Sequence, residues 1–208
     1  MVRVLVFVPS PPLLLDALGG AVTALRSACQ QAILALDGCD AVVIGASPTD
    51  GWVTGTVDAT PYGAAGRATE DGLPLALAVG RTLLAGAALY GVTPPSQLPE
   101  AEGLLVVGDG TARRTDKAPG HFDERAGVFD AEVENALAAG DPEALLALDP
   151  VLADALLVGG LDAWRAAARA ALAEVRPDGA APRGWTGAVH LAEAPYGVGY
   201  VVATWIPA

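Results

Sequence analysis

Arg113-Arg114-Thr115-Asp116-Lys117 concentrates positive charge in a chain whose net charge is −12. A guanidinium fork matches a carboxylate or a phosphate through paired hydrogen bonds. Arg113 and Arg114, with Asp109 and Thr111 just before them, are therefore candidate binding residues for a small anion. The same residues support a structural reading, in which the arginines pair with local acids such as Asp109, Asp116 or Glu124. The two histidines, His121 in a polar loop and His190 in a strand-like stretch, fit structural or surface roles. Ser10 and Ser47 lack the G-x-S-x-G frame of an activated serine. Gly108-Asp109-Gly110 lacks the helix and spacing of a dinucleotide loop, and the chain has no Walker loop.

The elements that would position these residues alternate between strand and helix, as in an α/β layer fold. The apolar run 2–8 reads as a strand covered on both faces. A helix over 18–36 follows, with Leu18, Val22, Leu25, Cys29, Ile33 and Leu36 on one stripe and Gly38 as its stop. Residues 41–46 form a second buried strand and 52–57 a third, half covered; 58–72 reads as an irregular surface connection. Pro74 opens the next helix and Gly91 closes it. Residues 104–107 are another buried strand, and 123–175 are mostly helical. Within that stretch Gly140 ends one helix, and Asp141-Pro142 and Asp149-Pro150 each start another. A hairpin, 188–193 and 198–205, turns through Pro195-Tyr196-Gly197. No repeat or linker divides the chain, so one domain over 1–208 is expected, with a central mixed sheet between helical layers.

Four segments, in order along nearly the whole chain, resemble the class III extradiol ring-cleavage dioxygenases, in the superfamily similar to the protocatechuate 4,5-dioxygenase beta chain. They are Val8-Pro9-Ser10-Pro11-Pro12, then Ile44-Gly45-Ala46-Ser47-Pro48-Thr49, then Gly108-Asp109-Gly110-Thr111-Ala112-Arg113 with the stretch 117–130, and last Glu193-Ala194-Pro195-Tyr196-Gly197-Val198-Gly199-Tyr200. In that family the first three carry histidines, in Pro-His-Pro-Pro, Ser-Pro-His and Gly-Asp-x-Ser-His-Arg. Two of the histidines and a carboxylate bind catalytic Fe(II). Ser10, Thr49 and Ala112 stand in the histidine positions, and Glu193 in that of the carboxylate. Hydroxyls are poor Fe(II) ligands at neutral pH and a methyl group is none. The resemblance thus implies a retained scaffold without iron, cofactor or ring cleavage. It also implies a small polar pocket where Ser10, Thr49, Thr111 and Glu193 converge at the strand ends.

Three functional readings follow: a binding or assembly protein for a small anionic or aromatic ligand, an active enzyme, and a structural subunit completing a catalytic chain. The enzyme would use a metal site rebuilt from Asp109, His121 and Glu193, or Glu193 and neighbouring hydroxyls without metal. The resemblance leaves room for a homo-oligomer through the 73–89 helix or the final hairpin. Composition narrows the rest. Apolar residues make up 52% and mean hydropathy is +0.42, enough for a large core and against disorder. The acidic balance argues against nucleic acid, which needs a basic footprint. Two cysteines, Cys29 and Cys39, make no disulfide framework and read as buried free thiols. Prolines interrupt the first apolar run before any cleavage site, and 73–92 holds Pro74, Gly80, Arg81 and Gly86, so a core helix is expected rather than a membrane span. A cytoplasmic location is expected. The four tryptophans read as core or edge packing.

Overall fold

In the computed structural model the chain is described over residues 2–16, 22–94, 97–173 and 184–208. Short runs of β-branched and large apolar residues form seven strands: β1 (Val4–Val8), β2 (Ala41–Ala46), β3 (Gly51–Val53), β4 (Ala88–Val92), β5 (Gly103–Val107), β6 (Trp185–Glu193) and β7 (Tyr200–Pro207). They join into one sheet in the order β3-β4-β2-β5-β1-β7-β6. The inner four, β4, β2, β5 and β1, are parallel, while β3, β7 and β6 each run antiparallel to a neighbour. Every residue of β5 is buried, as expected of a strand covered on both faces.

Side chains alternate across each strand, so the sheet divides its core in two. On one face Val6, Val8, Val43, Leu105, Val107 and Val202 meet α1 (Thr23–Ile33) and α2 (Leu75–Leu83). On the other, Leu5, Phe7, Ile44, Val106 and Trp205 meet α3 (Arg125–Ala139), α4 (Pro142–Ala147), α5 (Pro150–Ala155) and α6 (Leu161–Leu172). Trp205 is fully buried, lies edge-on to Phe7 at 5.1 Å, and donates from Nε1 to the Leu137 carbonyl at 2.7 Å. The result is a three-layer α/β architecture with a C-terminal antiparallel hairpin.

Several helix limits follow from local chemistry. Asp141 accepts a hydrogen bond from the Ala144 N–H, and Asp149 from those of Val151 and Leu152, so both are N-caps followed by proline at the first helical position. Gly140 closes α3 with φ +65°. Leu18 and Val175 lie outside the described residues, and the first helix has ended by Ile33, with a single 3-10 turn before Gly38.

The expected helix from Pro74 to Gly91 is a correction. It stops at Leu83, Gly86 turns the chain at φ +86°, and Ala88–Val92 is strand β4. Gly91 lies inside that strand, where an added Cβ would come 2.6 Å from the Ser47 Cβ. A five-residue apolar run has no periodicity to separate a strand from a helical turn, and pairing with β2 decides it. The expected strand over 52–57 shortens to β3, with an isolated bridge from Thr56 to Gly72. The connection after it is ordered about Asp58, which accepts hydrogen bonds from the backbone and hydroxyl groups of Thr60 and Thr69. Cys29 is buried and Cys39 half-buried; both are free. Trp164, Trp185 and Trp205 are core residues, whereas Trp52 on β3 is exposed and packs edge-on against Tyr90. Among the described residues, no helix is long and apolar enough to cross a membrane.

Sheet and helical layer approach tightly at Gly108, directly after β5. A Cβ there would overlap the Cα of Gly160, the N-cap of α6, and neither backbone can yield. Gly108→Ala is expected to cost about 3 kcal/mol or more in stability. Equilibrium urea denaturation would measure it, and a loss below about 1 kcal/mol would show that α6 can move away.

Candidate functional site

Adjacent parallel strands β1 and β5 send the chain in opposite directions. After β1 it passes to the α1 face, and after β5 to the α3 face. Such a divergence opens a crevice beyond the carboxyl ends of the strands, where α/β sheets bind ligands. Ser10 follows β1 and Asp109 follows β5, and the two meet in this crevice. The Ser10 N–H donates to Asp109 Oδ1 at 2.6 Å, and the Ser10 hydroxyl lies near the same carboxylate. Burial pushes the Asp109 carboxyl up to about 6, with the Ser10 N–H and side chain pulling against it.

The C-terminal hairpin supplies the opposite wall. The Gly110 N–H donates to the Gly199 carbonyl at 2.7 Å and the Gly199 N–H to the Thr111 carbonyl at 2.8 Å, which lays the Asp109 loop against the start of β7. Tyr200, the first residue of β7, is 4% exposed and stands opposite Glu193 in the hairpin register. Burial first, then the nearby Asp109, Tyr196 and Glu193, raise the Tyr200 phenol above its ordinary range. Its hydroxyl makes no hydrogen bond with any described residue, and its oxygen is not among the enclosed side-chain atoms that lack partners. Ser10, Asp109, Tyr200 and Glu193 therefore gather at one end of the sheet. Tyr200 is the residue that sequence reasoning missed as a site group: its apolar strand neighbours mark it for the core.

The other expected residues divide. Thr49 follows β2 at the same sheet edge, exposed, with its N–H donating to Ser47 Oγ at 3.3 Å. Thr111 is fully buried, and its N–H and hydroxyl donate to Asp130 at 2.8 and 2.9 Å; its side chain faces into the fold rather than the crevice. Ala112 is half-buried and its N–H is held by the Leu156 carbonyl. Arg114 Nη1 bonds the same Asp130 carboxylate at 2.9 Å, so this arginine takes the structural reading with an acid on α3 rather than with Asp109, Asp116 or Glu124. Arg113 has no ion pair within 4.0 Å among the described residues, and its Nε is enclosed without a partner. A cavity of about 80 Å³ lies beside this network, lined by Arg114, Asp130, Glu134, Glu193 and Tyr200 among others.

The donor set does not fit the iron that the dioxygenases resembled here carry. Two hydroxyls and a methyl group stand where the resemblance puts histidines, and the Asp109 carboxylate is turned onto Ser10. His121 sits in an exposed loop at φ +59°, and His190 shares a hydrogen bond with Thr204 at 2.9 Å on the hairpin. Among the described residues no three His, Cys, Asp or Glu side chains are grouped to hold a metal ion, so Asp109, His121 and Glu193 do not assemble.

Fold and crevice define a three-layer α/β protein with a polar strand-end site of two carboxylates, a serine and a tyrosine. No protein-family model matches the chain, and no curated protein matches it in sequence.

Proposed function

We propose that this protein binds a small molecule in the β1/β5 crevice, on a scaffold of the class III extradiol type that has given up iron chemistry. The observation that carries this reading is the Ser10–Asp109 contact at the strand divergence: a serine in the first histidine position, engaged with a carboxylate, where an iron ligand would have to face open space. Thr49 and Ala112 at the same sheet end offer no replacement. The test is anaerobic Fe(II) titration by calorimetry, with metal analysis of the protein as isolated. No stoichiometric binding is expected; binding at micromolar affinity or tighter would overturn the proposal.

One observation favours metal-free catalysis as a second reading. A carboxyl pushed up to about 6, close to a tyrosine hydroxyl without a partner, is matched to proton transfer near neutral pH. In that case Asp109 takes a proton and Tyr200 donates one. Exchange of the α-hydrogens of simple ketones and 2-oxo acids with D₂O, followed by NMR, tests it. The exchange should fall away below about pH 6 and disappear in Asp109→Asn; no exchange above the buffer rate removes this reading.

A further inference from the structure

We infer that the crevice bounded by Asp109, Tyr196, Tyr200 and Glu193 receives an organic ammonium group, so that the ligand is a small amine rather than an acid. The inference rests on the small-molecule reading above and names the ligand class of that site.

Charge is the first argument. Neither Asp109 nor Glu193 has an ion-pair partner among the described residues. The guanidinium groups of the neighbourhood are occupied or face elsewhere. Arg114 lines the small cavity beside Glu193 and Tyr200 but is bound there to Asp130 on α3, and Glu134 adds a further acid. Arg26 is held by Asp16 and by the carbonyls of Leu13 and Leu14, immediately after the Ser10 turn. The Arg113 charge lies near enough to Asp123 to help lower that carboxyl. A carboxylate or phosphate ligand would therefore meet two uncompensated carboxylates, whereas an ammonium group would be drawn to both.

Tyr200 is the second and independent argument. The Tyr200 ring is buried, while its hydroxyl oxygen reaches solvent at the crevice and makes no hydrogen bond with any described group. A ligand N–H can supply that partner, since the phenol oxygen accepts as well as donates. Tyr196, in the hairpin turn and 47% exposed, adds a second ring beside Tyr200. Carboxylates flanking aromatic rings form the usual surroundings of a bound ammonium, through ion pairing and attraction to the ring face. Asp109 keeps one oxygen, Oδ2, outside the backbone bond from Ser10, and Glu193 is exposed with both oxygens open.

Three probes on one scaffold separate the alternatives: tyramine, tyrosol and 4-hydroxyphenylacetate, titrated calorimetrically into the full chain at pH 7.5. Tyramine should bind at least about tenfold more tightly than either of the others. Glu193→Gln and Tyr200→Phe should each remove about tenfold of that affinity, with circular dichroism confirming the fold; Glu193 is exposed, so its variant folds on general grounds. Equal or tighter binding of tyrosol or of the acid overturns the ammonium assignment and leaves small-molecule binding standing. Tyramine binding that is absent at millimolar concentration, or unchanged in both variants, overturns it as well. Failure of the iron-free reading is seen separately, in the Fe(II) titration.

Discussion

Asp130→Ala is expected to lower the free energy of unfolding by about 4 kcal/mol, a large part of the stability of an ordinary domain. The carboxylate accepts from the Thr111 N–H, the Thr111 hydroxyl and Arg114 Nη1, all at 2.8–2.9 Å, and Thr111 has no solvent exposure to replace them. Removing it leaves two buried donors and a part-buried guanidinium without partners. The site is also shaped for this group: a Cβ on Gly110 would lie 2.6 Å from Asp130 Oδ1, and one on Gly199 would overlap the carboxylate. Asp130 therefore holds the β5 loop against the start of β7, the same contact that brings Asp109 beside Tyr200. Asp130→Asn, keeping one acceptor oxygen, should cost about half as much. Arg114→Met should cost about 1 kcal/mol, because that guanidinium is 35% exposed and water screens the pair. Urea denaturation at pH 7 measures all three. An Asp130→Ala variant within 1 kcal/mol of the parent would show that backbone bonds alone hold the loop.

The stability of the parent relative to Asp109→Asn should depend on pH, by about 3 kcal/mol across the range from pH 3.5 to 8. The Asp109 carboxyl titrates near its ordinary value of 3.8 in the unfolded chain and at about 6 in the folded one. Between these values the folded state holds more proton, so stability present below pH 4 is lost as pH rises through 6. Above that the buried charge carries its full penalty. Asparagine never ionises, and its side-chain oxygen can still accept from the Ser10 N–H. The variant should therefore gain on the parent as pH rises and level off above pH 7. Denaturation curves for both proteins at several pH values provide the difference, in which all other titrating groups cancel. A difference that stays flat would mean that Asp109 is solvated and titrates normally.

Much of the architecture was legible in the residues. β2 has the limits that its apolar run predicts, and Asp141, Asp149 and Gly140 mark helix ends through groups within four residues of the end. These are short-range effects, readable because cause and consequence are neighbours in the chain. β4 was hidden for the opposite reason: five apolar residues become a strand only by pairing with β2, more than forty residues earlier. Asp130 was hidden too. It sits mid-helix beside Phe129, and its role depends on Thr111 and Arg114 arriving from the preceding loop.

What the sequence by itself determined is the kind of chemistry available at the strand ends. Ser10, Thr49 and Ala112 offer no strong Fe(II) ligand, whatever the fold, because ligand strength belongs to the side chain. Only the tertiary structure decided which polar groups share a space. The order β5-β1-β7-β6 and the pairing of Tyr200 with Glu193 bring Asp109, Ser10, Tyr200 and Glu193 to one end of the sheet, and they send Thr111 and Arg114 to Asp130 instead. Strand order and register are set by long-range pairing and by which face is buried, so no local pattern of residues could have carried that information.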